Sequence, residues 1–101
     1  MIINDDVKAV ISAAGYLSLI TIGADGMPHA IIAGSRKISN DTIVFGIYKM
    51  ETTQKNLASD SSMCVLAAVI SEKPMGYRLT GTAKVTEKEV IFTPSTAESL
   101  I

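Results

Sequence analysis

The sequence predicts one mainly β domain with short helices, spanning residues 1–101 and built as a small Greek-key barrel of five or six strands. Three observations predict it. Stretches rich in β-branched and aromatic residues recur between turn signals. Only two or three segments carry helical spacing. Strands and helices do not alternate, so a doubly wound parallel sheet is excluded, and a barrel is the natural way to remove the sheet edges.

The elements follow in order. Asn4 or Asp5 caps a first helix, with acidic side chains on its positive end. Val7, Val10, Ile11 and Ala14 give that helix its apolar stripe, and Gly15 stops it. Tyr16 to Ile22 reads as a strand with Leu17, Leu19 and Thr21 on one face and Tyr16, Ser18, Ile20 and Ile22 on the other. Gly23-Ala24-Asp25-Gly26 is a hairpin turn, because Asp-Gly tolerates the positive φ angles that tight turns need. His29 to Ile38 is expected as a second strand interrupted by Gly34, and Ser39-Asn40-Asp41 as the next turn. Thr42 to Tyr48 is a third strand.

Glu51 to Ala58 switches to good helix formers and predicts a short helix anchored by Leu57. Ser62 to Ile70 is a fourth strand, apolar throughout, and is expected to be buried on both faces. A loop over Ser71 to Met75 leads to a fifth strand, Tyr77 to Thr86, where Gly81 marks a bulge. Val90 to Thr93 predicts a short sixth strand stopped by Pro94, and Ser95 to Ile101 a closing helix capped by Ser95 or Thr96.

Composition narrows the function classes. Hydrophobic residues make up 48% and charged residues 19% of 101, so the chain buries a core and is not disordered. A mean hydropathy of +0.33 in so small a domain predicts apolar surface covered by association. The formal net charge of -1, with no run of like charges, argues against nucleic-acid binding. One cysteine, Cys64, excludes an internal disulfide and fits a reducing compartment. The N-terminus lacks the pattern of a secretory signal, and the longest apolar run, Met63 to Ile70, is far short of the roughly 20 residues that cross a membrane. A soluble, cytoplasmic protein is expected.

Much chemistry is missing. A lone His29 and a lone Cys64 form no metal site and no histidine-based triad. Neither glycine-rich phosphate fingerprint occurs. Redox or transfer chemistry would therefore be carried by a cofactor. The informative stretch is Tyr48-Lys49-Met50-Glu51-Thr52-Thr53-Gln54-Lys55-Asn56-Leu57. Hydroxyls at the start of a helix, its free N–H groups and its dipole can hold a phosphate, with Lys49 and Lys55 adding charge. From spacing alone the plainer reading is an ordinary N-cap at Thr52 or Thr53, and both readings stand at this point. His29 is read as a solvated or turn-satisfied side chain, Cys64 as a core thiol, and Met50, Met63 and Met75 as packing residues. Arg78 and Lys84 are placed facing solvent or at a subunit rim.

Three segments, in order, carry a family resemblance. They are Asp25-Gly26-x-Pro28-His29 in a hairpin after an N-terminal helix; Met50-x-x-Thr53-x-x-Asn56-Leu57-x-x-Asp60; and Gly76-Tyr77-Arg78-Leu79-x-Gly81-x-Ala83. Together they span roughly residues 5 to 86. The chain resembles the short members of the pyridoxamine 5′-phosphate oxidase-like FMN-binding split barrels, which commonly show Lys-Thr-x-x-Asn in the second segment. The resemblance implies a six-stranded Greek-key split barrel that pairs as a homodimer, with FMN at the interface. The phosphate is then held by Ala33, Gly34, Ser35 and Arg36 and by Thr52 and Thr53, with Arg36 or Lys37 supplying charge and Asn56 in the matched segment. The basic residue that usually precedes the threonine is Thr52 here, and Lys49 is its expected substitute. Ile31, Ile32 and Ala33 stand where many relatives place larger polar residues over the flavin edge. No basic substrate-binding segment follows the last strand, which argues against a true vitamin B6 phosphate oxidase. The implied function is a small oxidoreductase or electron carrier with no catalytic acid or base assigned, and with substrate entering near His29 or Tyr48. Its rivals are a cofactor-free dimeric binding or regulatory module on the same fold, and a different small β-barrel that takes a phosphorylated metabolite.

Overall fold

The computed structural model describes Met1–Ile101. Its elements run α1 (Asp5–Ala13), β1 (Leu17–Ile22), β2 (Pro28–Ala33), β3 (Arg36–Ser39), β4 (Thr42–Gly46), α2 (Glu51–Ser59), β5 (Ser62–Ile70), β6 (Pro74–Val85) and β7 (Glu89–Ser99). All seven strands belong to one sheet in the order β2-β1-β5-β6-β7-β4-β3, and every neighbouring pair is antiparallel. Inward-facing residues of strands from both halves of the sheet, among them Leu17, Leu19, Val65, Leu79, Phe92, Phe45 and Ala33, share a single core. A flat sheet cannot bring them together, so the sheet curls into a half-barrel consistent with the split-barrel fold. No helix is long and apolar enough to cross a membrane.

The local signals act as expected where the pattern is short-range. Asn4 caps α1, its side chain accepting from the Val7 N–H at 3.0 Å, and Val7, Val10 and Ile11 are buried. Burying each of those side chains stabilises by roughly 1.5–3 kcal/mol. In β1, Leu17, Leu19 and Thr21 face the core. Gly26 in the β1–β2 hairpin has φ +79°, the conformation its Asp-Gly sequence anticipates. Both helices lie on the concave side, α1 against β5 and β6 and α2 against β1 and β6.

The structure corrects several expectations. There are seven strands, not six, because the expected strand over His29–Ile38 is two. Pro28–Ala33 pairs with β1, while Arg36–Ser39 pairs with β4 at the opposite edge of the sheet. Gly34 and Ser35 form the exposed crossing between them. Since β2 and β3 remain edges, the barrel is not closed. The third strand ends at Gly46 rather than Tyr48, and β6 begins at Pro74 within the expected loop. In β5 only one face is buried, through Met63, Val65 and Ala67; Ala68 and Ile70 are exposed on the other. Cys64 is accordingly a half-buried residue of the outer face, not a core thiol.

The largest correction lies at the C-terminus, where β7 runs through Pro94 to Ser99 and no helix forms. Proline is tolerated because β4 pairs with β7 only over Glu89–Phe92, so the missing N–H of Pro94 falls beyond that ladder. On the β6 side Thr80 faces Thr96 while Gly81 faces Pro94, leaving Ser95 as the extra residue of a bulge. The bulge expected at Gly81 is present.

The β3–β4 hairpin also fastens the N-terminal segment at both ends. The Asp41 carboxylate accepts the N–H groups of Ile3 at 2.7 Å and Ile2 at 3.1 Å. Those two bonds, Ile3 first, hold its carboxyl below the ordinary aspartate range. At the other end, the Arg36 Nη2 donates to the carbonyl of Ile11 at 2.7 Å and to that of Ala14, where α1 has no basic residue of its own.

Candidate functional site

The start of α2 is built from Met50, which is buried, and a first turn that no side chain caps. The first helical bond is Gln54 N–H to the Met50 carbonyl, at 2.8 Å. The N–H groups ahead of it have no helical acceptor, and the positive end of the helix dipole lies there. Lys49, just before, holds φ +52°, an uncommon conformation for a residue with a side chain.

Helical spacing then sorts the residues. Thr52, Lys55, Asn56 and Ser59 stand at i, i+3, i+4 and i+7 and line one wall of a groove of about 500 Å³. The opposite wall is the β1–β2 hairpin, with Asp25 and His29. Asn56 ties the two walls together, its Nδ2 donating at 3.1 Å to Thr21 Oγ1 in a buried bond. His29 is paired in register with that same Thr21. The Asp25 carboxylate accepts the Met27 N–H at 3.0 Å and so shapes the turn. The groove therefore gathers an ammonium, an imidazole, a carboxylate, hydroxyls and an amide beside an uncapped helix start.

The residues expected from sequence divide among several places. Thr52 and Asn56 line the groove. Thr53, one residue on, is only 1% exposed, and its Oγ1 is buried without a hydrogen-bond partner. An unpaired buried hydroxyl costs about 1–3 kcal/mol. Thr53→Val is thus expected to leave the unfolding midpoint of the ligand-free chain unchanged or to raise it, as measured by urea unfolding. Lys49 is exposed, with its Nζ 5.6 Å from the centroid of the Tyr48 ring. Gly34 and Ser35 lie at the crossing between β2 and β3; a Cβ on Gly46 would be 3.8 Å from Ser35 Oγ, which places that crossing beside the end of β4. Ala33 is buried at the end of β2.

Arg36 is on the concave side, opposite Phe45, and turns toward α1. Its Nη1 donates to the Gly34 carbonyl at 2.8 Å, and its Nη2 to the last carbonyls of α1. Lys55, expected from sequence to add charge, also lines the groove, and three polar residues beside it, His29, Asp25 and Ser59, lie outside the phosphate set expected from sequence. The i, i+3, i+4, i+7 stripe on α2 is the signal that finds Lys55 and Ser59. His29 and Asp25 join only through the packing of α2 on the hairpin.

The outer face of the sheet is bare. Ile20, Cys64, Thr80 and Thr96 form one row across β1, β5, β6 and β7, and Ser18, Leu66, Arg78 and Glu98 the next. Arg78 and Glu98 form an exposed ion pair at 2.9 Å. Burial pushes the Cys64 thiol up, against the opposing pull of Arg78. Ile32 is 65% and Ile70 85% exposed on this side.

A sequence model described as pyridoxamine 5′-phosphate oxidase matches residues 3–98, and the chain belongs to that family. Solved structures agree on the fold. A tagged point variant of HupZ from Group A Streptococcus superposes with a TM-score of 0.84 at 19% identity, covering 99% of this chain and 100% of that one. An FMN-binding protein from Syntrophomonas wolfei gives 0.77 at 12% identity, covering 92% of this chain and 82% of its own. An F420 reductase gives 0.76 at 11% identity, covering 90% and 94%. Among curated proteins none matches.

Proposed function

We propose that the chain binds FMN and acts as a homodimeric, cytoplasmic flavoprotein, a small oxidoreductase or electron carrier. Membership of the family supports the cofactor class, and FMN is the member of that class named for one of the neighbours of the same fold. The observation that carries the reading is the groove at α2. A phosphate needs donors and positive charge, and here a hydroxyl, an ammonium and an imidazole converge beside a helix start without a side-chain cap. The residues present fit the phosphate end of the cofactor. A bound flavin supplies hydride or electron exchange through its ring; the chain's own residues hold and orient it.

The bare outer face supports the dimer. The exposed Ile32 and Ile70 on this mixed face lose water contact when a second copy covers it. Purified protein is expected to be yellow, with bands at roughly 370 and 450 nm, and to show twice the chain mass in light scattering. A colourless protein that leaves the fluorescence of added FMN unquenched overturns the reading.

One observation favours a second reading, a cofactor-free binding module on the same fold. The Arg36 guanidinium, expected at the phosphate, is bonded to carbonyls of its own chain.

A further inference from the structure

We infer that the charge meeting the flavin's phosphate in this chain comes from Lys55, with the His29 imidazole as a donor facing it, across the groove between α2 and the β1–β2 hairpin. It does not come from Arg36 or Lys49. This rests on the flavin reading above and deepens it by naming the groups that select a phosphorylated flavin over an unphosphorylated one.

The expected phosphate ligands are engaged or displaced. Both terminal nitrogens of Arg36 donate to carbonyls, at 2.8 Å to Gly34 and 2.7 Å to Ile11. Since α1 carries no basic residue in its last turn, turning Arg36 outward strips that terminus of its counter-charge. Arg36, Lys37 and Lys49 also lie outside the groove wall, Lys37 being exposed and one residue out of phase with the inward-facing Arg36. Thr52 offers a hydroxyl there but no charge.

What remains is Lys55 and His29. Lys55 is exposed and pairs with no carboxylate, since the one ion pair of the chain joins Arg78 and Glu98. It stands one helical turn beyond Thr52 on the same face, so one ligand can touch both. His29 faces them from the hairpin, held in register by Thr21, which itself bonds to Asn56. The groove's roughly 500 Å³ lies within the usual range for small-ligand sites. Asp25 is the opposing charge on the same wall, so its sign makes an independent check.

The test titrates FMN and riboflavin into the full-length chain and its variants, reading flavin fluorescence, with the FMN-to-riboflavin affinity ratio as the measure. Riboflavin lacks only the phosphate. The unaltered chain is expected to prefer FMN. Lys55→Gln is expected to lower FMN affinity about tenfold and leave riboflavin unchanged, since a charge-assisted contact is lost. His29→Gln lowers the ratio by a smaller factor. Asp25→Asn keeps the acceptor for Met27 and raises the ratio. Should the unaltered chain prefer FMN and all three variants keep that preference, the inference fails and the flavin reading stands. Equal binding of both flavins by the unaltered chain overturns the inference and the choice of FMN that the groove carries, because the phosphate is then unread, while flavin binding itself stands. Binding of neither overturns both.

Discussion

Gly81→Ala is expected to destabilise the fold by about 3 kcal/mol or more, a large share of the stability of a domain this size. The reason is geometric. A Cβ on Gly81 would lie 2.1 Å from the Thr93 carbonyl oxygen and 2.8 Å from Pro94 Cα. These are backbone atoms of β7, anchored by pairing with β4 up to Phe92 and with β6 again from Thr96. Neither can swing aside as a flexible side chain does. The bulge that leaves Ser95 unpaired presses β7 onto β6 at this point, and only a residue without a side chain fits. At this chain length such a loss lowers the thermal midpoint by roughly 12–24 °C. Gly34→Ala is the matched control. Nothing lies within 4 Å of its Cβ, so it is expected within about 0.5 kcal/mol of the unaltered chain. Urea unfolding of both variants checks the pair; equal, small effects would show that the approach at Gly81 is not tight.

The contrast between these glycines marks where local pattern decides structure. Gly81 announces its bulge locally, because glycine weakens the interior of an alternating strand and stands there where a bulge or a close backbone approach requires it. The Asn4 cap, the stripe of α1, the faces of β1 and the span of β5 are likewise short-range patterns. Gly34 is different. Whether a chain continues or crosses there depends on partners far away, with Ala33 against Leu17 and Arg36 against Phe45. Ser95 to Ile101 shows the same limit from the other side. Its capping signals are real, yet the pairing of Leu79 with Ala97 and Arg78 with Glu98 extends β7 through them. Local propensity yields where a long neighbouring strand offers a ladder. At the site, Thr52 and Asn56 are legible from their motif, whereas His29 enters the groove only because α2 packs on the hairpin.

Arg36 separates a structural from a ligand role most sharply. Arg36→Ala is expected to cost about 2 kcal/mol, because charged hydrogen bonds to the end of α1 disappear and carbonyls at Ile11 and Ala14 lose their donor. Arg36→Lys is expected to recover only part of this, since one ammonium cannot reproduce a planar fork that reaches α1 and the Gly34 carbonyl together. Amide exchange should report the damage where the bonds were: faster exchange through α1, with little change along β5 and β6, whose ladder Arg36 does not touch. The preference for FMN over riboflavin is expected to survive in the folded variant. A residue that binds phosphate gives the reverse pattern, intact stability with the preference lost. These two outcomes cannot be mistaken for one another, because the guanidinium either closes the last turn of α1 or is free to leave it.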